Sequence, residues 1–560
     1  MNGNEEEEEP LLDECNRAEF MLEEQKPYKN VALFISLNLL FFETTAEKNN
    51  NFSEGHQQVH ISLAKDYQSL MVSWVTFFDL SAMNKTPTVA YGVNNKTLNL
   101  TKSGSTEVFK HMTGNITRYF HKVILTDLSF DTTYYYKVGD GSTWSKIFHF
   151  HTFPSNSNND IKICVLGDMD AGKNFTIIAL TKAVSEKKCQ LILHIGDIAY
   201  QLQKDDGLIG DDFMRQIEPI AAYVPYMVID GNHEFDCYGF SHYEKRFAMP
   251  IEANKTSDLD HYYSFTIGPI NFIALSSEIY GFYAVYGPDP IKRQGKWLKN
   301  ELERIKKDKE NHPWTIAYLH RPLYCYTKYH VDECNEYENS MIRRGYNDMP
   351  GLEEYFHDYN VDLVFYGHEH IYQRNYPVYN RTVYEYKDNI YHNPPATTYV
   401  LSGSGGCLRC TVEDEVDNNT VLPFGVFSSN QIGYTLVHVL NFTHINVSHI
   451  SSKDDHIIDS FTIVKDIGYT MDKKTNDTPK GIYKPFELSK PNYPYLKPTN
   501  ILLWCLDNTN MSLYEDRLIQ NRSTTKKITI HINESATSRY PSISILYFAG
   551  VVIICAILNM

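Results

Sequence analysis

The chain is short of positive charge. Its 52 lysines and arginines stand against 69 aspartates and glutamates, a formal net charge of −17 over 560 residues. A general nucleic-acid binder would normally be basic, so nucleic acid is set aside as a partner. Anionic small substrates are not excluded, because a bound metal reverses the local sign. Cysteine is also sparse, and 10 in 560 residues is not a disulfide scaffold. No second C-x-x-C accompanies Cys407-Leu-Arg-Cys410, which argues against a zinc site and leaves a small disulfide. No strong internal repeat is present, which argues against repeat architectures.

Two apolar segments stand near the ends. Residues 31–42 read VALFISLNLLFF, short for a membrane span and suited to a signal-peptide core. An acidic run, Glu5 to Glu9, precedes it where a signal usually has a short basic region; a start nearer Met21 would give a more ordinary signal. Residues 543–560 form an apolar tail, with Ser535, Ala536 and Thr537 upstream. That pattern fits a lipid-anchor signal, with a membrane helix as the alternative, and either would attach the protein to a membrane. Sequons at Asn51, Asn84, Asn95, Asn99, Asn115, Asn174, Asn254, Asn380, Asn441 and Asn446 favour a glycoprotein. The expected location is the secretory pathway: extracellular, cell-surface or lysosomal. In that compartment Cys325 and Cys334, nine residues apart in a polar loop, suit a disulfide.

The texture changes along the chain. After an N-terminal segment (1–56), residues 57–153 alternate apolar and polar residues in short runs such as QVHISL (58–63) and SLMVSWVTF (69–77), which predicts an all-β sandwich. Residues 154–160 read as a linker. From there to 465, apolar runs alternate with stretches of helical periodicity (174–187, 294–309 and 349–359), which predicts an α/β domain. Residues 466–542, rich in Lys, Thr, Asn and Pro, read as a weakly ordered extension.

Five apolar runs of the α/β domain end alike. IKICVLGD ends at Asp168, and QLILHIGDIAY at Asp197 and Tyr200. VPYMVIDGNHE ends at Asn232 and His233, WTIAYLH at His320, and VDLVFYGHEH at His368 and His370. The C-terminal edge of a sheet is where α/β domains build sites. One Gly-Asp or one histidine at a strand end is usually structural. Five such endings assemble oxygen and nitrogen donors without thiolate, a set suited to iron, zinc or manganese. The stretch Gly167-Asp-Met-Asp-Ala-Gly172-Lys173 also resembles part of a phosphate-binding P-loop. That reading fails at position 174, where asparagine replaces the Mg-binding Ser or Thr.

The set GD…GDxxY…GNHE…H…GHEH resembles the metallophosphoesterases, and specifically the purple acid phosphatases of the plant-like, high-molecular-weight form found in animals. The resemblance covers about residues 57–465. It implies a four-layer αββα catalytic domain (160–465) behind a fibronectin type III-like sandwich (57–153). It implies that Asp168, Asp197, Tyr200 and His370 bind ferric iron. Asp197, Asn232, His320 and His368 would bind a second divalent metal, Zn, Fe or Mn, with Asp197 bridging. His233 and His330 would be the catalytic histidines that contact phosphate, protonated at acidic pH.

The implied activity is an acid phosphatase hydrolysing phosphate monoesters, on small molecules or phosphoproteins, by attack of metal-bound hydroxide. The alternatives are nucleotides, pyrophosphate or phosphodiesters on the same core, and a non-catalytic surface glycoprotein. One position departs from the family pattern: Asp170 stands where glycine usual to the motif belongs. The expectation is that Asp168 is the ligand and Asp170 lies behind it, with a left-handed turn at Asp170 or Gly172.

Overall fold

The computed structural model describes residues 55–64, 68–111, 114–155, 160–172, 175–236, 239–250, 257–326, 336–407, 422–471, 481–482, 543–548 and 551–556. The signal-like stretch 31–42, His330, Cys334, Cys410 and most of the 466–542 extension lie outside the described residues.

Alternating residues build the first domain. Strands Gln57–Leu63, Leu70–Thr76, Thr117–Leu125 and Ser105–Lys110 form one antiparallel sheet in that order. Leu100–Ser103, Thr88–Gly92, Thr133–Gly139 and Phe148–His151 form the other. Inward residues such as Ile61, Val72, Trp74, Val123 and Tyr136 share one apolar cluster, as two facing sheets require.

Two seven-stranded sheets follow. In the first, Ile161–Leu166, Leu191–Ile195 and Tyr226–Ile229 are parallel, and Gly433–Val439 pairs antiparallel with Ile161–Leu166. In the second, Ile270–Ala274, Trp314–Tyr318, Leu363–Tyr366 and Thr398–Ser402 are parallel. These strands are apolar on both faces because both are covered. Ile163, Val165 and Leu193 of one sheet and Phe272, Ile316 and Phe365 of the other fill the space between the sheets. Their sequence alternates face helices. Cys164, Leu166 and Ile192 pack with helices Phe175–Ser185 and Lys204–Ala221. Ile273, Ala317 and Val364 pack with helices Asp289–Lys307 and Glu353–Asp358. The layers run helix, sheet, sheet, helix. The helix read over 294–309 starts earlier, at Asp289, with Pro290 in its first turn, where a missing N–H costs nothing.

Cys164, inside the first strand, is joined to Cys189, 25 residues on. In the chain-entropy view a loop of that length contributes about 3.5 kcal/mol. Cys325 and Cys407 are also disulfide-bonded. In the apolar tail, Ile543–Phe548 pairs antiparallel with Val551–Ala556. No helix among the described residues is long and apolar enough to cross a membrane.

A buried ion cluster joins sandwich and α/β domain. Arg118, from the sandwich, donates through Nε and Nη2 to Asp211 at 2.7–3.0 Å. Arg246 donates through Nη1 to the same carboxylate at 2.8 Å. Gln58 adds its Nε2 at 3.3 Å. All three charged side chains are fully buried. The first turn of helix Lys204–Ala221 is left-handed at Asp205, Asp206 and Gly207 (φ 52, 55 and 78°). The Asp206 carbonyl accepts from Arg118 Nη2 at 2.6 Å, and the Gly207 carbonyl from Arg246 Nη2 at 2.8 Å. The Asp206 carboxylate accepts the N–H groups of Asn115 and Ile116 at 2.6 and 2.9 Å. The sandwich thus grips the segment that follows Tyr200.

Candidate metal centre

The parallel strands of both sheets end at one place. Asp168 and Asp197 follow Ile161–Leu166 and Leu191–Ile195, Asn232 follows Tyr226–Ile229, His320 follows Trp314–Tyr318, and His368 follows Leu363–Tyr366. Close approach of the sheets depends on glycine. A Cβ on Gly367 would stand 2.4 Å from Asp168 Oδ2, and one on Gly196 (φ +91°) 2.5 Å from His320 Nδ1.

The donors form two groups that share Asp197. Asp197, His320 and His368 bring one atom each to within 4.8 Å of one another, and so do Asp168, Asp197 and His370. Asn232 joins the first group: its Oδ1 lies 3.2 Å from His320 Nε2 and 2.9 Å from His368 Nδ1. Tyr200 joins the second, with its hydroxyl 3.1 Å from Asp168 Oδ1 and 2.7 Å from His370 Nε2. The seven residues therefore converge as two carboxylates, three imidazoles, one amide and one phenol. Asp170 belongs to neither group. It is buried in the two-residue strand Met169–Asp170, paired with Ile198–Ala199.

The backbone here is unusual. Asp168, Asp197, Tyr200 and His368 all have positive φ (63, 51, 41 and 75°). Non-glycine residues held so cost about 1–3 kcal/mol each and cluster at functional sites. Asp170 is not among the positive-φ residues; Gly172 has φ 151°, and Asp168 is itself left-handed. Asp170 pairs with Ala199, which itself has φ 67°, so the left-handed residues beside the site are Asp168, two positions earlier, and Ala199 across the pairing.

Hydrogen bonds orient the donors. His320 Nδ1 donates to the Ile195 carbonyl at 2.9 Å, which leaves the Nε2 lone pair for the cluster. The Asp168 Oδ2 accepts the His368 N–H at 2.9 Å. Asp197 Oδ1 accepts the His233 N–H at 3.0 Å. Glu234 is fully buried and holds the bridging residue from behind. Its carboxylate accepts the N–H groups of Asp197, Ile198 and Gly231 at 2.8, 2.7 and 2.8 Å. Sequence reasoning gave Glu234 no role. Its signal was its place in GNHE, as a carboxylate directly after two polar strand-end residues.

Electrostatics favour a cation. Burial alone would lower His320, but Asp197, Asp168 and Glu278 hold it up to about 10. The field that holds a proton on His320 would also attract a metal ion. Burial pushes Asp168 well above the carboxylate range, against the pull of His320. Burial would also raise Asp197, but His320 and His233 hold it well below. Burial, with Asp168 and Asp197, pushes the Tyr200 phenol well above its ordinary value, so only a strongly charged cation would ionise it. His233 lies over the Tyr200 ring, centroids 4.7 Å apart, with Nε2 3.9 Å from Asp197 Oδ2. Burial pushes it below its usual range, with Asp197 opposing and His320, Lys204 and Arg321 assisting. A further anion beside it would favour the protonated form.

Comparison with known proteins agrees with this geometry. Residues 161–372 match the calcineurin-like phosphoesterase family, 56–152 the purple acid phosphatase N-terminal domain, and 396–460 the iron/zinc purple acid phosphatase-like C-terminal family. The chain is 36% identical to acid phosphatase type 7 of Danio rerio over 425 residues, 73% of this chain and 91% of that protein. It is 33% identical to the Homo sapiens acid phosphatase type 7 over 427 residues, 74% and 92% of the two chains. The solved purple acid phosphatase PPD1 from yellow lupin seeds shares the fold, with a TM-score of 0.61, 22% identity and coverage of 74% of this chain and 75% of that one. With these relatives and two donor groups sharing a carboxylate, the chain belongs to the purple acid phosphatases of the calcineurin-like phosphoesterase family.

Proposed function

We propose that the protein is a metal-dependent acid phosphatase that hydrolyses phosphate monoesters at a binuclear centre. The observation that carries this is the sharing of Asp197 between the two donor groups. In this reading Asp168, Asp197, Tyr200 and His370 hold ferric iron. Asp197, Asn232, His320 and His368 hold a divalent zinc, iron or manganese ion. The absence of thiolate supports such metals. When bound, the ions would supply Lewis acidity toward a phosphoryl oxygen and lower the pKa of water.

The chain's own residues do the rest. His320 is fixed in the tautomer that points Nε2 at the site. Glu234 fixes the Asp197 backbone. His233 stands beside the bridging carboxylate and would meet substrate phosphate, donating an N–H to its oxygen; a dianion would draw a second proton onto the ring. His330 is proposed for the same face. Asp170 is proposed as a neighbour of the site, not a ligand.

The strand spans support a scaffold sandwich at 57–153 and a catalytic domain at 160–465. The secretory location, with a lipid-anchor signal in the tail, belongs to the same reading; the disulfide-bonded Cys164, Cys189, Cys325 and Cys407 support it.

Elemental analysis, a visible spectrum and p-nitrophenyl phosphate turnover at acidic pH test the proposal on one purified sample. Iron with a second metal, a broad visible band and chelator-sensitive turnover are expected. Metal-loaded protein without turnover would overturn the phosphatase reading. Asp168→Ala should lose iron while Asp170→Ala keeps it; the reverse would exchange their roles.

A further inference from the structure

Two sequons sit five residues apart on one hairpin, and the fold treats them oppositely. Asn446-Val-Ser448 lies within strand His444–Ser451. The Asn446 Nδ2 donates toward the neighbouring strand, to Ser460 Oγ at 3.4 Å, the Phe461 carbonyl at 3.3 Å and Thr462 Oγ1 at 3.3 Å. Its Oδ1 accepts from Ser448 Oγ at 3.0 Å. The nitrogen that would bear a glycan is thus engaged across the sheet, and a sugar there would compete with these side-chain contacts to Ile457–Val464.

Asn441-Phe-Thr443 lies in the connection between Gly433–Val439 and His444–Ser451, and Asn441 is exposed. Its Oδ1 accepts both the backbone N–H and the hydroxyl of Thr443, each at 2.8 Å. This Asx turn sets the sequon hydroxyl against the carboxamide and leaves Nδ2 on the opposite side. The Asn441 carbonyl accepts the indole N–H of buried Trp314 at 2.9 Å, so the loop is anchored to the core while its side chain points outward.

A second observation concerns the flanking residues. Leu440 is 44% and Phe442 37% exposed, a small apolar tip at the end of the hairpin. Single exposed apolar residues need no explanation, but two that bracket an accessible glycan acceptor present a surface that an attached sugar would cover.

We propose that Asn441 carries an N-linked glycan that shields Leu440 and Phe442, and that Asn446 stays unmodified. The bond forms between Nδ2 and the anomeric carbon of a lipid-diphosphate-activated oligosaccharide. The lipid diphosphate leaves, and Nδ2 gives up one proton. The proposal rests on the secretory reading and not on the metals.

The full chain, secreted from cultured eukaryotic cells, is digested and treated with peptide-N-glycosidase in heavy-oxygen water. Each occupied asparagine then becomes a mass-tagged aspartate. A tag at Asn441 and none at Asn446 is expected. Asn441→Gln should lose one glycan's mass and bind more of an apolar dye, and adding Phe442→Ser should reverse the dye binding. Tags at other sequons but not Asn441, or a tag at Asn446, would overturn the site assignment. Loss of the glycan without a change in dye binding would overturn the shielding. A secreted chain with no tag at all would overturn the glycan and the glycoprotein reading together, whatever the metal content.

Discussion

Glu234→Gln isolates what the carboxylate behind Asp197 contributes. One oxygen of Glu234 accepts from Asp197 and Gly231, the other from Ile198. Glutamine keeps a single acceptor oxygen. Turned toward Asp197 and Gly231, it leaves the Ile198 N–H facing an amide NH₂; turned the other way, it leaves two N–H groups unpaired. The first orientation is cheaper and orphans one buried donor, worth about 1–3 kcal/mol. That loss falls on a backbone already held at φ 51° in Asp197, so the strained conformation relaxes before the rest of the sheet does. Because 1.4 kcal/mol is a factor of ten, metal affinity should fall about 10–100-fold, the range for partners that orient ligands. The assay is chelator competition followed by metal analysis, with turnover measured again at saturating metal. Turnover should recover in large part when metal is forced back, since Glu234 touches no donor atom. Affinity within about twofold of the parent would refute the reasoning.

Other expectations follow from the same geometry. Tyr200→Phe should remove the visible band, because the phenol is the only charge-transfer donor among the converging residues; a surviving band would remove Tyr200 from the ligand set. Asp211→Asn should destabilise the protein by about 3–5 kcal/mol in urea unfolding, because two fully buried arginines lose their shared counter-charge; an unchanged midpoint would show the cluster to be inert. Burial holds His60 down to about 4, from 6.5. The unfolded chain therefore takes up the proton first. The stability this neutral histidine contributes is complete above pH about 6.5 and is lost toward pH about 4, at about 1.4 kcal/mol per pH unit. His60→Gln should flatten that part of the stability profile, and parallel profiles would sink the assignment.

The site was legible because metal chemistry needs particular residue types, and those types stand where apolar runs stop. Asp168, Asp197, Asn232, His320 and His368 each close a strand, so a one-dimensional pattern carried three-dimensional information. What stays behind those donors was less visible. Glu234 works through backbone N–H groups, which every residue has. The Arg118–Asp211–Arg246 cluster joins residues 93 and 35 apart in sequence, and nothing local marks such partners. Cys164 reads as an ordinary apolar strand residue, and its bond to Cys189 depends on a register that only the folded sheet sets. A left-handed residue at Asp168 was not visible, because the departure from glycine lies two positions further on, at Asp170. Asp170 there pairs with Ala199, itself left-handed.

The grip of the sandwich on the segment after Tyr200 bears on how the gene could be cut. A fragment beginning at 160 would look complete by its donors, since all seven converging residues lie beyond that point. It would nonetheless present Asp211 and Arg246 to water without Arg118 and Gln58. The carbonyls of Asp206 and Gly207 would keep only the Arg246 half of their support. A fragment that keeps the sandwich from its first strand is therefore expected to be the more stable of the two.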